Sequence, residues 1–230
     1  MTTALAFPPS PQPTAEIAGR SERFPVNRIY CVGRNYAAHI REMGFDPDRE
    51  PPFFFLKPAD ALVPQASSIA YPAETSDFQH EVELVIAIGK GGADIPVERA
   101  LDHVFGYGVG LDLTRRDLQV EARNRGRPWE AGKSFDHSAP LAPLHPAAEV
   151  GHLSRGRIWL TVNGEVRQQG DIGQMIWSVP ETVSALSRLW ELQPGDLIYS
   201  GTPEGVGPLA RGDVVAGGVD GLSELRVRIV

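Results

Sequence analysis

The run Gln79-His80-Glu81-Val82-Glu83-Leu84-Val85-Ile86-Ala87-Ile88 constrains this chain more than any other, because it sets two carboxylates at the head of an apolar strand. Side chains alternate between the faces of a strand, so Glu81 and Glu83 share one face while Val82, Leu84, Ile86 and Ile88 fill the other. Beyond Glu83 the acidic face also turns apolar, with Val85 and Ala87, and a strand apolar on both faces belongs in an interior. Residues two apart on a strand are roughly 7 Å apart at Cα. That is close enough for both acids to converge on one cation, which would offset their repulsion and desolvation. Taken alone, the strand fits equally well at a sheet edge with a solvated acidic end.

A third acid, Asp112, follows Val104-Phe105-Gly106-Tyr107-Gly108-Val109-Gly110-Leu111. Glycine at every second position leaves one face of that strand bare, open to another backbone or a ligand. Asp112 stands where strand gives way to helix, a place where the helix dipole alone favours an acid. Glu81, Glu83 and Asp112, without cysteine or clustered histidine, form an all-oxygen set suited to Mg²⁺, Mn²⁺ or Ca²⁺ rather than zinc. His80 points away from the acids and reads as a structural histidine.

The 230 residues fit one substantial domain, and 22 basic against 29 acidic residues give a net charge of −7. That balance provides no general attraction to nucleic acid or an anionic membrane. No apolar run reaches the roughly 18 residues of a membrane span, and Met1 to Pro13 lacks a signal-peptide pattern, so the expected residence is cytoplasmic. The single cysteine, Cys31, lies in an apolar run and reads as a buried thiol. Prolines 8, 9, 11, 13 and 25 make residues 1–25 an extended lead-in, with one domain over 26–230.

Strand-like runs recur at Ile29–Val32, Phe53–Leu56, Glu81–Ile88, Val104–Leu111, Ile158–Val162, Leu197–Ser200 and Leu225–Val230, with Asn163-Gly164 marking a hairpin. Three helices have readable ends: Tyr36–Met43 behind an Asn35 cap, 115–125 behind Thr114 with Asp117 completing a capping box, and a third from Ser178 to about Trp190 with Val183, Leu186 and Leu189 inward. Three helices are too few to cover a parallel sheet on both faces, so the expected fold is mainly β, a mixed sandwich or roll. Several motifs fail on spacing. Gly126 to Ser134 separates its glycines by five residues where a phosphate loop needs four, and Gly106 to Leu111 misplaces a glycine of the dinucleotide fingerprint. No nucleophile elbow or zinc-protease helix is present.

Upstream, His39 and Glu42 fall three apart on the first helix, so Glu42 can orient the imidazole and raise its basicity. An ordinary surface pair would have the same spacing. The polar, proline-rich sequel from Asp46 to Pro52 fits a surface loop able to carry that helix as a lid.

Gly33-Arg34-Asn35-Tyr36, His80-Glu81-Val82-Glu83, the block from Leu111 to Gln119, Trp129-x-x-Gly132-Lys133-Ser134-Phe135-Asp136 and Ser200-Gly201-Thr202-Pro203-x-Gly205-Val206-Gly207 together resemble the fumarylacetoacetate hydrolase family, over roughly residues 27–230. The resemblance implies a mixed β-sandwich roll, a homodimer and a Mg²⁺ or Mn²⁺ ion, with Ca²⁺ also compatible, held by Glu81, Glu83 and Asp112. It further implies a catalytic His39–Glu42 dyad, an oxyanion-stabilising Lys133, and Arg116, Gln119 and Thr202 holding substrate oxygens. The stretches Arg23 to Tyr36, Arg41 to Pro47 and Phe53 to Ala61 are most similar to the branch that cleaves fumarylpyruvate in gentisate breakdown.

That resemblance makes the substrate a small 2,4-dioxo acid, a 3-acylpyruvate. Water activated by His39 would attack the distal acyl carbonyl, Lys133 with Gln119 or Arg116 would stabilise the oxyanion, and carbon–carbon cleavage would yield pyruvate and an acid. Arg34, Arg41 and Lys57 are candidates to bind a carboxylate at the far end of the acyl group. Acylpyruvases, oxaloacetate decarboxylases and 2-oxo acid isomerases share the central machinery. A catalytically silent metal-binding member is the remaining alternative, against which His39 and Glu42 speak.

Overall fold

The strand Val82–Ile88 lies at the centre of the protein, whose computed structural model describes residues 5–37 and 51–230. It is paired antiparallel with Val104–Leu111 on one side and Leu197–Tyr199 on the other. These belong to an eight-stranded mixed sheet in the order Phe53–Lys57, Ile29–Gly33, Leu197–Tyr199, Val82–Ile88, Val104–Leu111, Ala139–Leu141 and Leu62–Pro64, with His145–Pro146 also paired to Val104–Leu111. A five-stranded sheet of Glu165–Asp171, Arg157–Val162, Val214–Val219, Leu225–Ile229 and Ser68–Ile69 packs over one face. The protein is thus mainly β, as expected.

Both faces of the central strand are buried, and each supplies a different cluster. Val82, Leu84, Ile86 and Ile88 join Leu160, Val215 and Val227 between the sheets. Val85 and Ala87 join Cys31, Tyr199, Ile17 and Phe24 on the other side. The strand starts at Val82 and not at Glu81, which links it to Phe78–His80, a strand of a separate three-stranded sheet with Thr114–Arg115 and Gly207–Pro208. The chain therefore changes sheets at Glu81. The bare face of Val104–Leu111 is filled by protein: a Cβ on Gly106 would lie 2.1 Å from the His145 carbonyl oxygen, and one on Gly110 would lie 2.5 Å from the Tyr199 ring.

Within the lead-in, Thr14–Glu16 pairs antiparallel with Arg23–Pro25 and buries Ala15 and Phe24, while residues 5–13 carry no strand or helix. The Asn163-Gly164 hairpin forms, with both residues at positive φ (54° and 85°). The helix after Ser178 spans Val179–Ser187, and Glu181 accepts hydrogen bonds from the N–H and O–H of Ser178 at 3.0 and 2.7 Å. Leu189 lies beyond its end and is exposed, so the inward stripe is Val179, Val183 and Leu186. The second helix spans Arg116–Asn124 without a side-chain cap, because the Thr114 hydroxyl and the Asp117 carboxylate are engaged elsewhere. Of the first helix only its opening is described, and the Asn35 amide is committed to Trp177 and the Ser200 carbonyl. No described helix is long and apolar enough to cross a membrane.

Candidate active site

Glu81, Glu83 and Asp112 converge, with one carboxylate oxygen from each lying within 4.8 Å of the others, and all three are buried. Register explains the convergence. Glu83 pairs with Gly110 and Val82 with Leu111, so Asp112 follows directly across from Glu81, whose carbonyl accepts the Asp112 N–H at 2.9 Å. The expected proximity of the acids holds, and the solvated-edge alternative fails because the whole strand is interior.

Three buried cations face these acids. Lys133, on the short helix Glu130–Lys133, donates to Glu81 Oε2 at 2.9 Å, Asp112 Oδ2 at 2.7 Å and Thr114 Oγ1 at 2.7 Å, which uses all three of its protons. Burial alone would lower its pKa, but Asp112 and Glu81 outweigh that and hold it above the ordinary lysine value. Lys57 Nζ lies 2.9 Å from Asp112 Oδ1, off hydrogen-bond geometry because it donates instead to the carbonyls of Leu113 and Lys133. It is therefore part of the acidic centre and not a ligand for a distal carboxylate. Arg116 donates to Glu81, Gln119 and, at 2.8 Å, Gln79.

Glu83 is treated differently. No basic group within the described residues lies at ion-pair distance, and its Oε2 accepts the Gly201 N–H at 2.8 Å. Burial first, then Asp112 and Glu81, raises its pKa well above the carboxylate range. A buried all-oxygen triad with one uncompensated member fits a divalent cation, whose charge would remove that penalty.

Glu81, Glu83, Asp112, Lys133, Arg116, Gln119, Thr202 and Arg34 line one open cleft of about 500 Å³, counting solvent at its mouth. Gln119 Oε1 accepts from Arg116, leaving its amide protons as donors. The Thr202 hydroxyl donates to the Val82 carbonyl at 2.8 Å. Arg34 has a left-handed backbone (φ 57°) and stacks near Phe53, whose ring meets Trp129 edge-on at 5.2 Å. His39, Glu42 and Arg41 lie outside the described residues. Of the further cleft residues, Arg123 was not among the sequence candidates, while Trp129 and Phe55 fell within the family-like blocks without an assigned role. Arg123 carried a signal: Arg116, Gln119 and Arg123 recur at helical spacing on one face. His80, by contrast, is the buried structural histidine expected, with burial lowering its pKa against the opposing effect of its Gln168 bond.

Residues 28–230 match the profile of the fumarylacetoacetate (FAA) hydrolase C-terminal domain. The chain belongs to that family. It is 59% identical to the fumarylpyruvate hydrolase of Pseudomonas aeruginosa, whose crystal structure is a complex with Mn²⁺ and pyruvate, at a TM-score of 0.97 over 99% of each chain. It is also 43% identical to the mitochondrial oxaloacetate tautomerase of Mus musculus over 201 residues, 87% of this chain and 90% of the relative. The mitochondrial oxaloacetate decarboxylase of Dictyostelium discoideum is 42% identical over 196 residues, 85% of this chain and 89% of the relative.

Proposed function

We propose that this protein is a metal-dependent hydrolase that cleaves fumarylpyruvate, a 3-acylpyruvate, to fumarate and pyruvate. The observation that carries this reading is the buried carboxylate triad at the floor of a cleft walled by basic and amide donors, supported by likeness to a fumarylpyruvate hydrolase that binds Mn²⁺ and pyruvate. Glu81, Glu83 and Asp112 would hold Mg²⁺ or Mn²⁺. When bound, that ion would polarise the 2-oxo group and stabilise negative charge left on the pyruvate half.

The chain's own groups supply the rest. His39, oriented by Glu42, takes the proton of the attacking water. Gln119 offers amide protons to the oxyanion, whereas Lys133 must first exchange one of its three acceptors for a substrate oxygen. Arg116 holds Glu81 and Gln119 in place, and Thr202 meets substrate through its backbone N–H, its hydroxyl proton being committed. Charge counting favours a dianion. Lys57, Lys133 and Arg116 match the three acids in formal charge, so a bound divalent metal would leave the centre positive for a substrate with a carboxylate at each end. A homodimer in the cytoplasm completes this reading.

The oxaloacetate relatives make oxaloacetate the informative competitor. With Mn²⁺, fumarylpyruvate should give a higher kcat/KM for pyruvate release than acetylpyruvate, and oxaloacetate a lower one than either, because the second carboxylate orients the distal carbonyl. Faster pyruvate release or enol–keto exchange with oxaloacetate would transfer the assignment to oxaloacetate chemistry.

A further inference from the structure

The acid-bearing strand runs out of neighbours where the cleft begins. Leu197–Tyr199 pairs with Val85 to Ala87 and then ends, leaving the backbone from Leu84 back to Val82 without a strand on that side. The Ser200 N–H still donates to Leu84 O at 3.1 Å, and side chains then take the strand's place. The Ser200 hydroxyl donates to Leu84 O at 2.8 Å, the Thr202 hydroxyl donates to Val82 O at 2.8 Å, and the Val82 N–H donates to Gln168 Oε1 at 3.1 Å.

Gln168 comes from the edge strand Glu165–Asp171 of the other sheet, lies outside the cleft lining, and is wholly buried. Its Nε2 donates to Thr202 Oγ1 at 2.8 Å and to Pro203 O at 2.9 Å, and its Oε1 also meets His80 Nδ1 at 3.0 Å. The amide orientation is forced, since Pro203 O only accepts and the Val82 N–H only donates; His80 therefore carries its proton on Nδ1. A bulge makes the reach: Leu160 faces Gln168 and Thr161 faces Val166, leaving Arg167 unopposed, and the 200–207 loop packs there so closely that a Cβ on Gly205 would lie 2.1 Å from Arg167 O.

We propose that Gln168 is a positioning residue that sets the spacing between the Glu81/Glu83 pair and the loop bearing Gly201 and Thr202. One carboxamide grips the backbone of the residue between the two acids and, with its other end, the loop whose Gly201 N–H holds Glu83. The proposal rests on the reading of these acids as metal ligands and of Thr202 as a substrate contact.

The test uses full-length protein with Gln168→Glu, which keeps size and one acceptor but loses both donors, Gln168→Met, Thr202→Val and the Gln168→Met/Thr202→Val double variant. Mn²⁺ affinity is measured by calorimetry on folded protein, alongside Tm and kcat/KM for fumarylpyruvate. Each Gln168 variant should lose roughly 10-fold or more in Mn²⁺ affinity and in kcat/KM, and the double variant should be no worse than its weaker parent. Unchanged Mn²⁺ affinity in a folded Gln168 variant, or losses that multiply in the double variant, would overturn the proposal, as would a lowered Tm with both functional readouts intact. Should neither Gln168 variant fold, Thr202→Val carries the test: it removes the Thr202 contacts to Gln168 and to Val82 O, leaving only the Pro203 bond, and unchanged Mn²⁺ affinity there overturns the proposal. Wild type that binds no Mn²⁺ would instead sink the metal reading and the proposal with it.

Discussion

Glu83 is the residue on which stability and function pull in opposite directions. Its carboxylate is buried, close to two other acids, and served among the described residues by one backbone N–H, that of Gly201. Removing such a charge relieves the folded protein, since a neutral amide of the same shape keeps the acceptor for Gly201 and deletes the repulsion. Glu83→Gln should raise the Tm of metal-free protein by about 2–4 °C, equivalent to roughly 1 kcal/mol in a domain of this size. It should also abolish the stabilisation that Mn²⁺ gives wild type. Scanning calorimetry with and without Mn²⁺ checks both, and a lower Tm for the metal-free variant would mean that the charge is compensated in the folded state.

The paired strands Thr14–Glu16 and Arg23–Pro25 show how a segment with weak local signals becomes structural. Phe24 and Ile17 fill the cluster beneath Val85 and Tyr199, and Ile17 bridges to Leu144. Phe24→Ala should therefore destabilise by roughly 3–5 kcal/mol, whereas deleting residues 1–11, which spares the Pro13 carbonyl that accepts the Val26 N–H, should leave Tm nearly unchanged; equal effects in urea unfolding would contradict this division. The same contrast explains what was legible in the sequence. Val82–Ile88 and Val104–Leu111 announced themselves because burial on two faces and alternate glycines leave strong local patterns. Val214–Val219 did not, because Gly217 and Gly218 interrupt it to admit Val82 and the Trp159 ring, partners invisible in a local window. Thr114 and Asn35 read as helix caps, yet tertiary partners claim their side chains: Lys133 in one case, Trp177 and Ser200 in the other. In the site, Glu81 and Glu83 were legible from strand period and Asp112 from the end of the glycine-alternating strand, whereas Arg123 left only a helix-period signal and was not among the candidates. The place of Lys57 beside Asp112 and that of Gln168 behind Val82 were not legible, since each comes from the meeting of distant strands.

The whole molecule registers the site through pH. Two buried groups have folded-state pKa values moved out of their ordinary ranges, and they act in opposite senses. Glu83 has a folded-state pKa raised above its unfolded value, so over the interval between the two the folded protein holds a proton that the unfolded chain has released, and stability falls as pH rises. His80 has a folded-state pKa lowered by burial, so the unfolded chain takes up the extra proton as pH drops below the ordinary histidine value of 6.5, and stability falls toward acid. Well above that value His80 is neutral in both states and Glu83 acts alone of the two. Metal-free protein should therefore lose stability as pH rises above 6.5, over the range in which folded Glu83 keeps its proton. Mn²⁺ or Mg²⁺ should reverse the slope, because the ion displaces the Glu83 proton and binds more tightly as pH rises. Urea unfolding across a pH series above 6.5, with chelator or with excess ion and with Glu83→Gln as control, measures this directly. If the metal-free wild type gains stability across the interval, or if ion binding in calorimetry releases no proton there, Glu83 is ionised before the metal arrives and is not the member of the triad that the cation relieves.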